Sequence, residues 1–200
     1  MNNIPKYNPK IHHRKSIRLA GYDYSNQGMY FITICCHKKE HRFGKIENGE
    51  MILNELGEIA DNEWIDLLKR FPDIELDSHQ IMPNHMHGII VIKHVDNTGA
   101  NDVGAGFTPA LESGNDFDQN SIKDTNQPIP IILGNIIGAY KSLVFNKCLD
   151  IHKSKNTGMG KFWQRNYFEH IIRNKESYHT ISEYIINNVT NWDNDKFYSK

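Results

Sequence analysis

The run Ile81-Met82-Pro83-Asn84-His85-Met86-His87-Gly88-Ile89, continuing into Ile90-Val91-Ile92, decides the fold. Ile74 to Met82 and His85 to Lys93 both read as strands, and only Pro83-Asn84 joins them. A link that short makes an antiparallel pair, because parallel neighbours need a crossover of a dozen residues or more. Side chains alternate along a strand, so His85 and His87 share one face and Met86 takes the other. Two adjacent imidazoles on a rigid strand are half of a metal site. They equally suit an edge strand whose exposed face happens to carry two histidines.

Outward from this pair, Met29 to His37 is β-branched and aromatic and reads as a strand. Phe43 to Ile46 and Met51 to Leu53 flank an Asn48-Gly49 turn and read as a hairpin. Asn54 caps a predicted helix to about Phe71, with Leu56, Ile59, Ala60, Trp64, Leu67 and Leu68 at helical spacing and Pro72 after it. A second helix is expected from Ile131 to about His152, with Ile132, Ile136, Ala139, Leu143 and Cys148 near one face. Gly158-Met159-Gly160 breaks the chain. An aromatic connection from Phe162 to Ile172 follows, with a strand at Phe168–Ile172, and a last helix runs from about Lys175 to Val189. Residues 95–129 are polar, aperiodic and long for a loop, and read as a flexible insertion. Strand pairs joined by short turns argue against a doubly wound parallel sheet. The order predicts an α+β fold, one antiparallel sheet with helices packed on it, in a single domain over residues 1–200.

At 38% hydrophobic and 24% charged residues the chain is of soluble globular type. No apolar run approaches the roughly 20 residues of a membrane helix. The polar, basic N-terminus lacks a signal-peptide core, so no membrane partner and a cytoplasmic location are expected. Cys35, Cys36 and Cys148 form neither a disulfide framework nor a zinc pattern. The net charge of −1 hides an uneven distribution. Residues 1–22 hold Lys6, Lys10, Arg14, Lys15 and Arg18 and no acid. Residues 94–130 carry −5, which leaves +4 on the remainder. A basic arm on a mildly basic body suits a phosphate-bearing partner, and also suits a solvated terminus.

A second constellation lies on the last predicted helix. Tyr184 and Asn188 are four residues apart and share a helical face. That spacing sets a nucleophile beside an amide oxygen; it also suits a tyrosine at the edge of an amphipathic core. Between the constellations, Phe162 to Asn174 interleaves aromatics with Arg165, His170 and Arg173. Arginines there can hold phosphates. Trp163 and Phe168 are expected to pack inward. Tyr140 competes with Tyr184 but has Val144 at the fourth position on. His79, His94 and His170 read as structural or surface residues, and Tyr22, Tyr24 and Tyr167 as packing or DNA contacts.

Taken in order, Met82-Pro83-Asn84-His85-Met86-His87, then Phe162-Trp163-Gln164-Arg165-Asn166-Tyr167-Phe168-Glu169-His170-Ile171-Ile172-Arg173-Asn174, then Glu183-Tyr184-Ile185-Ile186-Asn187-Asn188 resembles the REP-associated tyrosine transposases. These are relatives of the insertion-sequence-200-like transposases among the HUH (His–hydrophobic–His) single-strand nucleases. Arg18-Leu19-Ala20-Gly21-Tyr22-Asp23-Tyr24, followed by Met29-Tyr30-Phe31-Ile32-Thr33, is similar to that family's opening. The likeness spans nearly the whole chain except 95–129. It implies a ferredoxin-like sheet, His85 and His87 as the HUH metal pair, Tyr184 as nucleophile and Asn188 as a third, polar metal ligand. The departures are the acidic insertion and Val189, which stands where the family usually has proline.

The implied chemistry is cleavage of single-stranded or hairpin DNA. Tyr184 would attack the scissile phosphate and hold it as a 5′-phosphotyrosine. Mg²⁺ or Mn²⁺ would neutralise the phosphate, and such ions are content with two or three protein ligands. Arg14, Lys15, Arg18, Arg165 and Arg173 are the candidate DNA contacts. The alternative is a repeat-DNA-binding regulator that keeps the fold and does not cleave. A small-nucleotide hydrolase of histidine-triad type would need a further histidine where Ile89 stands. Monomer and homodimer both stay open.

Overall fold

Alternation of apolar side chains builds a two-faced sheet in the computed structural model, which describes residues 27–93 and 132–198. The basic arm with Arg14, Lys15 and Arg18, residues Tyr22, Tyr24 and His94, and the 95–129 segment lie outside the described residues. β1 is Gly28–Cys35. The hairpin of β2 (Gly44–Glu47) and β3 (Glu50–Leu53) follows. Asn48 and Gly49 both take positive φ, 53° and 79°, as its tight turn requires. The side chain of Asn54 accepts hydrogen bonds from Leu56 N and Gly57 N and caps α1 (Glu55–Ile65). The helix expected to continue to Phe71 is interrupted at Asp66 and resumes as α2 (Leu67–Arg70). Aspartate competes poorly as a helix former, and the Asp66 carboxylate pairs instead with Lys69 Nζ at 2.7 Å.

β4 (Ile74–Met82) and β5 (His85–Ile92) form the antiparallel pair across Pro83-Asn84. α3 (Leu133–Ser154), β6 (Phe168–Ile172) and α4 (Lys175–Ile186) complete the domain. The sheet order is β4-β5-β1-β6, and every neighbouring pair is antiparallel. With α1 and α3 as the crossovers this is the split β-α-β arrangement of a ferredoxin-like sheet, with the β2–β3 hairpin inserted and α4 appended. No described helix is long and apolar enough to cross a membrane.

Tyr30, Ile32, Ile34, Met86, Ile90 and Ile92 point to one side of the sheet, where they bury against Ala60 and Trp64 of α1 and Ile136, Ile137, Tyr140 and Val144 of α3. Each such side chain contributes about 1.5–3 kcal/mol when removed from water. The buried stripe of α3 is Leu133, Ile136, Ile137, Tyr140, Val144 and Cys148, whereas Ala139 and Leu143, expected inside, are only half-buried beside it. On the opposite side Phe31, Ile89 and Ile172 meet Ile185 of α4 in a much thinner layer. Residues 85, 87 and 89 alternate onto this second side, so the histidine pair lies on the α4 face.

Gly88 faces α1. A Cβ at that position would stand 2.4 Å from Cζ2 of the fully buried Trp64. Gly88→Ala is therefore expected to lower stability by about 1–3 kcal/mol. At this chain length that is a drop of roughly 2–4 °C in Tm per kcal/mol, read by thermal melting.

Candidate active site

Strand register brings the two histidines together. Thr33 of β1 stands directly opposite His87, and Cys35 opposite His85. Both imidazoles are 0% exposed. Their Nε2 atoms approach to 3.0 Å. Each ring is held from behind through Nδ1: His85 by Asn84 Oδ1 at 2.7 Å, His87 by Thr33 Oγ1 at 2.8 Å. Asn84 in turn donates from Nδ2 to the Phe197 carbonyl at 2.9 Å, which fixes its amide oxygen toward His85. An amide oxygen only accepts, so His85 carries its proton on Nδ1 and presents the Nε2 lone pair. If Thr33 likewise accepts from His87, two lone pairs face each other across 3.0 Å. A cation between them relieves that repulsion, so the pair suits a metal ion through its donor chemistry and its supporting hydrogen bonds.

α4 brings the third and fourth groups. The Tyr184 hydroxyl lies 3.1 Å from His87 Nε2 and donates to Asp195 Oδ2 at 3.0 Å. Asn188 Nδ2 donates to the same oxygen at 2.8 Å. Asn188 is nearly buried at 2% exposure and lies just beyond the helix end at Ile186. Its Oδ1 is buried without a hydrogen-bond partner. The ligand atoms of His85, His87 and Asp195 all lie within 4.8 Å of one another. This cluster could hold a metal ion, with the hard oxygen donor that Mg²⁺ and Mn²⁺ favour. Sequence reasoning missed Asp195. It follows the short 3-10 turn Trp192–Asn194, in no periodic pattern, and only the tertiary return of this segment places it at the histidines.

The same returning segment roofs the site. Phe197 packs on His85 with ring centroids 4.6 Å apart, and Trp192 stacks on His85 at 6.0 Å. Lys39 Nζ ties the roof down by donating to the Lys196 carbonyl at 3.0 Å. Burial, helped by the Lys196 and Lys39 charges, pushes the His85 imidazole down to about 3. Burial and the neighbouring His85 hold His87 well below its ordinary range too. Burial first, then the Asp195 carboxylate, raises the Tyr184 phenol above its usual value of about 10.

Tyr140 is on the other side of the sheet. It is 0% exposed, meets Trp64 edge-on at 5.4 Å and donates to the Ala60 carbonyl at 3.1 Å. Arg165 and Arg173 are exposed on either side of β6. His79 pairs with Asp61 at 2.9 Å, and His170 is exposed on β6. The cysteines are free and buried, and burial pushes the Cys35 thiol up to about 11. Phe168, expected inside, is 48% exposed, because among the described residues β6 is an edge strand and no strand lies beyond it. A cleft of about 630 Å³, lined by His37, Arg42, His152 and Lys161 among others, includes none of the cluster residues.

The chain is 42% identical over 194 residues to an uncharacterized protein of Haemophilus influenzae, covering 96% of this chain and 97% of that one. Among solved structures it is similar to a REP-associated tyrosine transposase bound to a REP hairpin. The TM-score is 0.50, with 17% identity, 88% of this chain and 74% of the other being covered. That likeness concerns the fold. No family model matches the chain.

Proposed function

The chain belongs to one family with the Haemophilus influenzae protein, and we propose that it is a metal-dependent DNA transposase of the single-tyrosine type, cutting and rejoining single strands beside hairpin-forming repeats. The observation that carries this reading is the Tyr184 hydroxyl, 3.1 Å from His87 Nε2 and 3.0 Å from Asp195 Oδ2. A nucleophile set against two imidazoles and a carboxylate is what phosphodiester cleavage through a tyrosine needs. The solved transposase of like fold is bound to a REP hairpin, which supports a hairpin DNA substrate here.

In this reading Tyr184 Oη attacks phosphorus and the bond to the 3′-oxygen breaks. The 5′-phosphate stays on the tyrosine, and the 3′-oxygen leaves and takes up a proton. The phenolic proton passes to Asp195 Oδ2, which already accepts it as a hydrogen bond. Asn188 holds that carboxylate in place. When bound by His85, His87 and Asp195, with Asn188 beside them, Mg²⁺ or Mn²⁺ supplies neutralising charge at the phosphate. Attack by an incoming 3′-hydroxyl on the phosphotyrosine restores the diester and frees Tyr184, so no external energy source is needed. Arg14, Lys15, Arg18, Arg165 and Arg173 are assigned to phosphates of the bound strand.

The complete burial of both histidines under Trp192 and Phe197 favours a second reading, a repeat-DNA-binding regulator without turnover. The two separate in one experiment. A hairpin oligonucleotide with single-stranded arms, taken from repeats flanking the gene, is incubated with the protein and Mn²⁺ and resolved on a denaturing gel. A covalent protein–DNA adduct is expected. Tight binding with no adduct under any divalent cation would establish the regulator instead.

A further inference from the structure

Phe168, Thr33 and His87 stand in one row across three strands: Thr33 is the register partner of Phe168 on one side and of His87 on the other. All three therefore share the α4 face, and Phe168 lies two strand spacings, about 10 Å, from His87. Its ring meets Phe31 edge-on at 6.2 Å, and Phe31 meets Tyr184 edge-on at 6.1 Å. The aromatic surface is thus continuous from the Tyr184 ring to the sheet edge, where Phe168 is half exposed. Lys196 Nζ lies over the Phe168 ring, 5.4 Å from its centroid, and Arg165 is exposed three residues before it. The acid on β6, Glu169, alternates to the opposite face of the sheet.

A half-exposed aromatic ring that already carries a lysine ammonium and is joined through Phe31 to Tyr184 matches an unpaired base followed by its phosphate. Resting on the function proposed above, we propose that Phe168 is the stacking platform for the unpaired base that flanks the scissile phosphate. Lys196 holds the phosphate beyond that base. The substrate class is then narrowed: the nucleotide next to the cut must be unpaired, because a base held in a duplex stack has no free face for the ring. The edge position of β6 is what makes the ring accessible, since a further strand would bury it.

The probe is a hairpin oligonucleotide with single-stranded arms carrying 2-aminopurine at one unpaired position at a time, bound in EDTA so that no cleavage occurs. The wild-type protein is expected to quench the fluorescence at one arm position next to the cut. Phe168→Leu is expected to lose that quenching and to bind about 5- to 150-fold more weakly, the range one stacked base supplies. Phe168→Tyr is expected to retain both. Replacing the same nucleotide by an abasic site should erase the difference between wild type and Phe168→Leu, an effect that mere loss of folding does not produce. Quenching that survives in Phe168→Leu, or a binding deficit that persists on the abasic strand, overturns the platform. If the Mn²⁺-dependent adduct forms normally while Phe168→Leu binds and quenches like wild type, the platform fails and the transposase reading stands. If the wild type binds no hairpin oligonucleotide, both fail.

Discussion

Tyr184→Phe is expected to abolish both strand cleavage and the covalent adduct, while Tyr140→Phe leaves them at the wild-type level. Both tyrosines follow the histidine pair in the chain, and both sit on helices. The sheet separates them. The Tyr184 hydroxyl is on the α4 side within hydrogen-bond reach of His87 and Asp195, whereas Tyr140 is sealed on the α1–α3 side with its hydroxyl spent on the Ala60 carbonyl. In the proposed mechanism this removes the attacking oxygen, so the rate loss should be about 10⁴-fold or more. The phenylalanine ring keeps the edge contacts with Phe31 and His87, so the fold should persist and hairpin binding with it. Tyr140→Phe deletes one buried hydrogen bond, with a net effect of about 0.5–1.5 kcal/mol on stability and none on the site. Denaturing gels of adduct alongside melting curves distinguish the two. An adduct that survives Tyr184→Phe would reassign the nucleophile.

What could be read in advance follows the range of the physics involved. Strand alternation is local, so the shared face of His85 and His87 and the antiparallel turn at Pro83-Asn84 are legible in the residues themselves. The Asn54 cap and the Asn48-Gly49 turn are equally local. Which face α4 covers is not local. It depends on sheet order, so the sequence could rank Tyr184 over Tyr140 only on Asn188 against Val144 at the fourth position on, while the sheet places one on each side. Phe168 was expected inside because its neighbours are aromatic; its exposure follows from β6 being at an edge, which only the strand order decides. Asp195 is the furthest from legibility. Its place at the histidines depends on the chain after α4 doubling back, held by Asn84, Lys39 and the packing of Phe197 on His85. None of these contacts leaves a periodic trace.

The buried histidines also set the acid limit of the fold. In the unfolded chain both imidazoles take up a proton near pH 6.5. In the folded protein burial, with the Lys196 and Lys39 charges, depresses His85 to about 3, and His87 is likewise well below its ordinary value. Between these limits the unfolded state binds more protons, so stability rises with pH; the contribution is fully present above pH 6.5 and is lost as pH falls toward 3. A histidine depressed this far removes about 1.4 kcal/mol per pH unit in that window, so going from pH 7 to pH 5 should cost about 2 kcal/mol through His85, with His87 acting in the same direction. Against a typical domain stability of about 5–15 kcal/mol, that is enough to shift a urea midpoint conspicuously. A divalent cation at the Nε2 atoms binds the folded state and not the unfolded one, so Mn²⁺ at 100 times its Kd should add about 2.7 kcal/mol at either pH and move the acid transition to lower pH. Urea unfolding at pH 7 and pH 5, with and without Mn²⁺, measures both effects. A midpoint unchanged between the two pH values would mean that the imidazoles are not held neutral. An unfolding midpoint that Mn²⁺ leaves unchanged at both pH values would mean that the folded protein does not hold the ion at these two lone pairs.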